Sequence, residues 1–149
     1  MIYIVGLGPG DFKALTIGAL EVLEQNDNIY LRTDHHPMSE YLHEKNISYK
    51  SYDYLYDDIQ NYEELYVTIA NKLLEEAKDK DIVYAVPGHP LVGEKSVTNL
   101  IQQCNDNNIA YEIIAATSFI DCITERLHID IQEGLKVVDA FEMDKHILD

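Results

Sequence analysis

Short apolar runs alternate along the chain with longer segments in which apolar residues recur at helical spacing. The short runs are typical of buried strands, and the helical spacing is typical of amphipathic helices. Strands that alternate with helices predict a mostly parallel sheet with helices on both faces. We therefore predict a three-layer α/β fold that forms an N-terminal lobe, followed by the start of a second lobe.

The predicted strands are Ile2–Val5, Asn28–Leu31, Ile47–Tyr52, Ile82–Val86, Ala110–Ala115 and Gly134–Ala140. The predicted helices lie within Asp11–Gln25, near Pro37–Lys45, at Tyr62–Lys78, from Lys95 to about Cys104, and at Phe119–Leu127. Thr16 is a candidate N-cap of the first helix.

The last predicted strand lies close to the end of the chain, and a strand needs neighbours to bury its faces. We therefore expect residues 1–115 to form the N-terminal lobe and residues 116–149 to begin a second, truncated lobe. The missing neighbours would come from a longer protein or from another copy, and we expect a homodimer.

Charge and composition exclude several classes of partner. The net charge is −16, whereas nucleic acid requires a basic surface. The sequence has no apolar stretch long enough to span a membrane, and we expect its start to form the first strand and not a signal peptide. Two unpatterned cysteines, Cys104 and Cys122, suit the reducing cytoplasm.

Glycine-rich segments follow two of the predicted strands. Gly6–Asp11 contains three glycines, but a dinucleotide fingerprint would place glycine at position 11, where this chain has aspartate. Pro9 also removes an amide that would bind phosphate. After the fourth strand, Val86–Gly93 contains two prolines and two glycines and precedes a helix. Loops at the carboxyl ends of parallel strands bind ligands, so both segments are candidate binding loops.

A third candidate loop, Ala115–Phe119, follows the fifth strand. Its small residues and its two hydroxyl groups suit a ligand that needs neutral hydrogen-bond partners. Thr117 or Ser118 could equally serve as the N-cap of the next helix. The sequence leaves both interpretations open.

Together the three loops resemble the tetrapyrrole (corrin/porphyrin) methylases. Gly6–Asp11 is similar to their N-terminal signature, and Pro87–Glu94, spelled PGHPLVGE, is similar to their central loop. The second spelling resembles most closely the branch that is fused to MazG-type nucleotide pyrophosphohydrolases in bacteria. Leu31–Thr33, Ser118–Asp121 and Glu133–Ala140 also resemble that branch.

The resemblance implies S-adenosylmethionine as cofactor, together with a methyl acceptor that it leaves unidentified. The residues that would bind the cofactor are Pro9, Gly88, His89, Pro90, Leu91, Val92, Thr117, Ser118 and Phe119. His89 stands where many members of the family have aspartate, so cofactor binding through this side chain would depend on pH. The sequence indicates no catalytic base and no metal site.

Two other functions remain open from the sequence. The chain could be a protein methylase similar to diphthine synthase, which has a similar Leu91-Val92 pair after its loop. It could also be a non-catalytic regulatory or dimerisation domain of a pyrophosphohydrolase fusion.

Several other clusters have simpler explanations. His35-His36 beside Asp34 is a weak candidate for a metal site, because adjacent residues in an extended segment point to opposite sides. The tyrosine-rich run Tyr49–Asp58 is interpreted as a strand with a surface loop, with an interface as the alternative. Paired glutamates at positions 63–64 and 75–76 fit the solvated face of a helix.

Overall fold

The computed structural model describes residues 1–145. The strands are β1 (Ile2–Gly6), β2 (Ile29–Leu31), β3 (Lys50–Ser51), β4 (Ile82–Val86) and β5 (Tyr111–Ile113). The α-helices are α1 (Ile17–Gln25), α2 (Met38–Glu44), α3 (Asp53–Asp58), α4 (Tyr62–Glu76), α5 (Lys95–Asp106) and α6 (Phe119–Leu127). Short 3-10 helices lie at Phe12–Ala14, Ile131–Glu133 and Ala140–Lys145.

The five strands form one parallel sheet in the order β3-β2-β4-β1-β5, which confirms the predicted fold class. The chain divides into two compact units, Met1–Phe119 and Ile120–Asp149. The sheet belongs to the first unit. Because its strands are parallel, the segments that follow β1, β2, β4 and β5 all leave from the same edge.

Side chains that alternate along the central strands supply two separate cores. Ile2 and Ile4 of β1 pack with Tyr84 of β4 in the core beneath α4 and α5. Val5 packs with Val83 and Ala85 in the core beneath α1 and α2. All five residues of β4 are buried, as expected for a central strand of a parallel sheet covered on both faces.

The predicted N-cap is confirmed at Thr16, whose side chain accepts a hydrogen bond from the Ala19 amide (3.1 Å). Asn61 caps α4 in the same way, accepting from the amides of Glu63 and Glu64. β4 and α6 begin and end at the predicted residues. The residues within these two elements were sufficient to predict where each one begins and ends.

The predicted strand Gly134–Ala140 is wrong, because residues 134–139 are irregular and Ala140 begins a 3-10 helix. Among the described residues no strand lies beside this segment to accept its hydrogen bonds. The predicted third strand, Ile47–Tyr52, is shortened to the two residues of β3. The tyrosine-rich run after it contains the helix α3 and not a simple surface loop.

Within residues 1–145 the longest helices are too short or too polar to cross a lipid bilayer.

Candidate functional site

The segments after β1, β4 and β5 meet at Gly6. A Cβ atom built on Gly6 would lie 2.4 Å from the carbonyl oxygen of Gly88 and 2.5 Å from the Cβ of Ala116. It would also lie 2.8 Å from Cδ of Pro90. Contacts this short leave no room for a side chain, so glycine is required here for the three segments to approach one another.

Backbone hydrogen bonds join the first two of these loops. The Gly8 amide donates to the Gly88 carbonyl (3.1 Å), and the Gly88 amide donates to the Gly8 carbonyl (2.9 Å). Both glycines have positive φ, +75° at Gly8 and +67° at Gly88. This pair fixes exposed Pro9 beside the start of the turn that follows β4.

We refer to Pro87–Gly93 as the β4 turn. Its residue Pro90 is buried against Gly6, whereas Leu91 is 56% exposed. His89 holds the turn locally, since its Nδ1 accepts from the Leu91 amide (3.0 Å) and its carbonyl accepts from the Val92 amide (3.1 Å). The His89 imidazole therefore has a conformational role in the turn.

Gly88 differs from Gly6 in what surrounds it. A Cβ built on Gly88 would meet no atom within 4 Å, so the turn opens into free space at this residue. Gly93, at the other end of the turn, has a similar φ of +68° and similarly open surroundings. The β4 turn is thus packed on one side and open at both of its glycines.

The segment after β5 approaches the same junction through Ala116. The Thr16 hydroxyl donates to the carbonyl of Ala115 (2.8 Å) and so ties this segment to the start of α1. Farther along, Thr117 is half-buried, Ser118 is buried and Phe119 is 48% exposed. The nine predicted binding residues therefore come from three loops that converge, although they are far apart in sequence.

A fourth segment, at the exit of β2, carries polar residues that are not among the nine predicted binding residues. Arg32, Thr33, His35, Asp53, Tyr56 and Asp57 line a depression of about 260 Å³. The Asp53 carboxylate accepts from the Thr33 hydroxyl (2.6 Å) and from the Asp34 amide (2.7 Å). Burial acts to raise the pKa of Asp53, but these hydrogen bonds outweigh it, and the pKa lies below its usual value.

The two adjacent histidines have different surroundings. The side chain of His35 is 88% exposed, with Nε2 4.0 Å from the Asp53 carboxylate. His36 is half-buried and accepts from the Met38 amide at Nδ1 (3.2 Å). Burial lowers its pKa, so His36 is neutral near pH 7. In residues 1–145 no three histidine, cysteine, aspartate or glutamate side chains are placed to hold a metal ion.

Comparison with known proteins gives the family. The family model "Tetrapyrrole (Corrin/Porphyrin) Methylases" matches residues 1–148, so the chain belongs to this family. The uncharacterized protein YabN of Bacillus subtilis is 40% identical over 139 residues, which are 93% of this chain and 28% of YabN. The probable diphthine methyl ester synthase of Arabidopsis thaliana is 25% identical over 83% of this chain and 44% of its own length.

Solved structures share the fold. A diphthine synthase superposes with a TM-score of 0.63 at 17% identity, covering 87% of this chain and 49% of that protein. The uroporphyrin-III-C-methyltransferase of Thermus thermophilus gives a TM-score of 0.64 at 19% identity, covering 87% and 53%. This chain therefore spans about half the length of the solved structures that it matches, and less of YabN.

Proposed function

We propose that this chain binds S-adenosylmethionine across the β4 turn and forms part of a methyltransferase whose acceptor is unassigned. The observation that carries the proposal is the open space at Gly88, beside a junction that is otherwise closely packed. Family membership supports the same conclusion. A negatively charged chain also favours a cationic sulfonium ligand weakly, through its long-range field.

Under this proposal the cofactor contacts come from the nine residues predicted from the sequence. Backbone groups of Gly88 to Val92 would bind the polar parts, since a turn fixed by prolines and positive-φ glycines presents amides and carbonyls in set directions. Pro9 would bound one side, and Thr117, Ser118 and Phe119 the other. The cofactor supplies an activated methyl group, so this chain's residues need only orient the reactants and exclude water.

Titration calorimetry with S-adenosylhomocysteine tests the proposal. Gly88→Val should abolish binding, because the branched side chain would enter the open space without meeting protein atoms. Gly93→Val is a matched control, since it imposes a valine at nearly the same φ and in equally open surroundings. The proposal fails if the parent protein binds no ligand, or if Gly88→Val binds it as well as the parent does.

We further propose that residues 1–115 form the N-terminal lobe and residues 116–149 the start of a second lobe of a longer protein. Residues 146–149 lie outside the described residues. The proposal is supported by the first compact unit, which ends at Phe119, and by YabN, of which this chain matches only 28%. Fusion to a MazG-type pyrophosphohydrolase, with this domain catalytic or regulatory, belongs to the same proposal, and the downstream gene sequence tests it.

A protein methylase similar to diphthine synthase is the second candidate. Two curated relatives favour it, namely the Arabidopsis protein described above and the diphthine methyl ester synthase of Bos taurus. The latter is 27% identical over 83% of this chain. Incubation with labelled S-adenosylmethionine and either protein or small-molecule fractions would distinguish the acceptors.

We also propose a homodimer in the cytoplasm. Apolar side chains such as Leu127 and Phe141 are exposed in the second unit, and both cysteines are free thiols, as a reducing compartment requires. A light-scattering mass near 17.1 kDa would contradict the dimer.

A further inference from the structure

A largely buried ion pair joins the exit of β2 to the end of the β4 turn. Arg32 directly follows β2, and Glu94 lies between the turn and the start of α5. Arg32 Nε is 3.1 Å from Glu94 Oε2, and the two side chains are only 22% and 9% exposed. The Nε–H group makes no aligned hydrogen bond, so the attraction here is that of an ion pair.

Hydrogen bonds extend the pair on both sides. The Ser96 hydroxyl donates to Glu94 Oε1 (2.6 Å), and Ser96 Oγ lies 2.8 Å from the hydroxyl oxygen of buried Tyr84. Because Ser96 has one hydroxyl proton and a carboxylate only accepts, Tyr84 is the donor to Ser96. On the other side, Arg32 donates to the Tyr56 hydroxyl (2.8 Å).

The guanidinium stays charged in this environment. Burial acts to lower the pKa of Arg32, but the neighbouring Glu94 carboxylate and the bond to Tyr56 outweigh it, and the pKa is raised. Removing two charges from water costs free energy that packed apolar side chains would avoid. Such a pair therefore adds little to the free energy of unfolding. Its position between two segments points instead to a role in fixing the conformation of one of them.

The part of the structure that this ion pair could hold in place is the β4 turn. Its first half is anchored by the Gly8–Gly88 hydrogen bonds and by Pro90 packed on Gly6. Its second half has local bonds, such as those from Leu91 and Val92 to His89, and ends at a positive-φ glycine that precedes Glu94. The ion pair fixes the end of the turn to the neighbouring strand.

We propose that Arg32 and Glu94 are positioning residues that hold the second half of the β4 turn in the conformation that binds the cofactor. The inference rests on the proposed function, because it assigns the pair to that same site. Arg32 also lines the depression at the exit of β2, so its side chain contacts both this depression and the segment that ends the β4 turn.

Glu94→Gln tests the proposal, because it keeps the shape and the bond from Ser96 but removes the charge. We expect amide hydrogen exchange at Leu91 and Val92 to become about tenfold faster than in the parent, with α4 amides changing far less. The dissociation constant for S-adenosylhomocysteine should rise by about the same factor. Arg32→Lys should restore part of the affinity lost in Arg32→Gln, since lysine keeps the charge but not the planar guanidinium.

Two controls separate positioning from general stability. Glu75→Gln breaks the exposed pair with Lys78 and should alter neither turn exchange nor affinity. Leu23→Ala, in the core beneath α1, should lower the melting temperature without loosening the turn selectively. If Glu94→Gln does not fold, the double variant R32Q/E94Q replaces it, because it leaves no unpaired buried charge.

The outcomes are distinct. Unchanged exchange at Leu91 and Val92 in a folded variant overturns the inference whatever the ligand does. Faster exchange with unchanged affinity overturns the positioning role. If the parent binds no S-adenosylhomocysteine, the proposed function fails and the cofactor role fails with it, while the exchange data still show whether the pair holds the turn.

Discussion

Residues 1–119 and residues 120–145 both contain apolar side chains at regular spacing, but only the first region buries them. All buried hydrophobic residues of the described chain lie between Ile2 and Cys104. From 120 to 145 no described residue is buried, although the region contains Leu127, Val137 and Phe141. The difference shows that spacing predicts which face of an element is apolar, whereas burial requires neighbouring elements.

The same lesson applies to two apolar runs. Ile82–Val86 becomes β4 because β1 and β2 pair with it on either side. The run at 134–140 includes Leu135, Val137 and Val138 but also a lysine and an aspartate; no strand lies beside it among the described residues, and 134–139 stay irregular. The helix α6 needs no neighbouring strand, because the backbone hydrogen bonds of a helix lie within the segment itself.

Replacing one glycine in each region by alanine should give the largest difference in stability between the two regions. Gly6→Ala should destabilise the first region by at least about 3 kcal/mol, since the new Cβ would overlap the Gly88 carbonyl and Ala116. Gly134→Ala, in the second region, meets no atom within 4 Å and has a φ of +120°, so the cost is local strain of about 1–2 kcal/mol. Urea unfolding monitored by circular dichroism would measure both, and equal losses would contradict the packing argument.

Leucine truncation gives the next largest effect. Leu73→Ala removes a side chain that is fully buried in α4 and should cost about 2–5 kcal/mol. Leu127→Ala removes a side chain that is 63% exposed in α6 and should change the free energy of unfolding by less than about 0.5 kcal/mol. If Leu127→Ala proves as costly as Leu73→Ala, residues 120–145 are buried in solution by a partner such as a second copy.

Local signals predicted the elements best, and long-range contacts could not be predicted. β4 and α6 match their predicted bounds, but α3 was missed because the run Tyr49–Asp58 was interpreted as a strand with a surface loop, and tyrosine favours strands over helices. The loops after β1 and β4 were predicted as candidate binding loops from their glycines and prolines, and the loop after β5 from its small residues and hydroxyl groups. The ion pair between Arg32 and Glu94 was not, since nothing in the local sequence around either residue indicates that the exit of β2 meets the end of the β4 turn.

A smaller effect, dependent on pH, is expected from Asp53 in the first region. Its folded-state pKa lies below the ordinary value of 3.8, so its contribution to stability is present above that value and is lost as the pH falls through the folded pKa. Asp53→Asn should therefore lower stability at pH 7 by less than about 1 kcal/mol, and the gap should close below about pH 4.

Asp130→Asn, which changes an exposed carboxylate in the second region, is the matched control for Asp53→Asn and should cost less at pH 7. Urea midpoints between pH 3 and pH 7 provide the measurement. A gap between the parent and Asp53→Asn that widens as the pH falls would have the wrong sign.

The two cysteines give a comparison that involves no loss of stability. Cys104 on α5 is fully buried, and burial raises the pKa of its thiol to about 11. Cys122 on α6 is only partly buried. Because the thiolate is the reactive form, iodoacetamide at pH 8 should modify Cys122 in the native protein and reach Cys104 only after unfolding. Cys122→Ser should then remove the fast reaction, and rapid labelling of Cys104 in that variant would mean that the core beneath α5 opens in the native state.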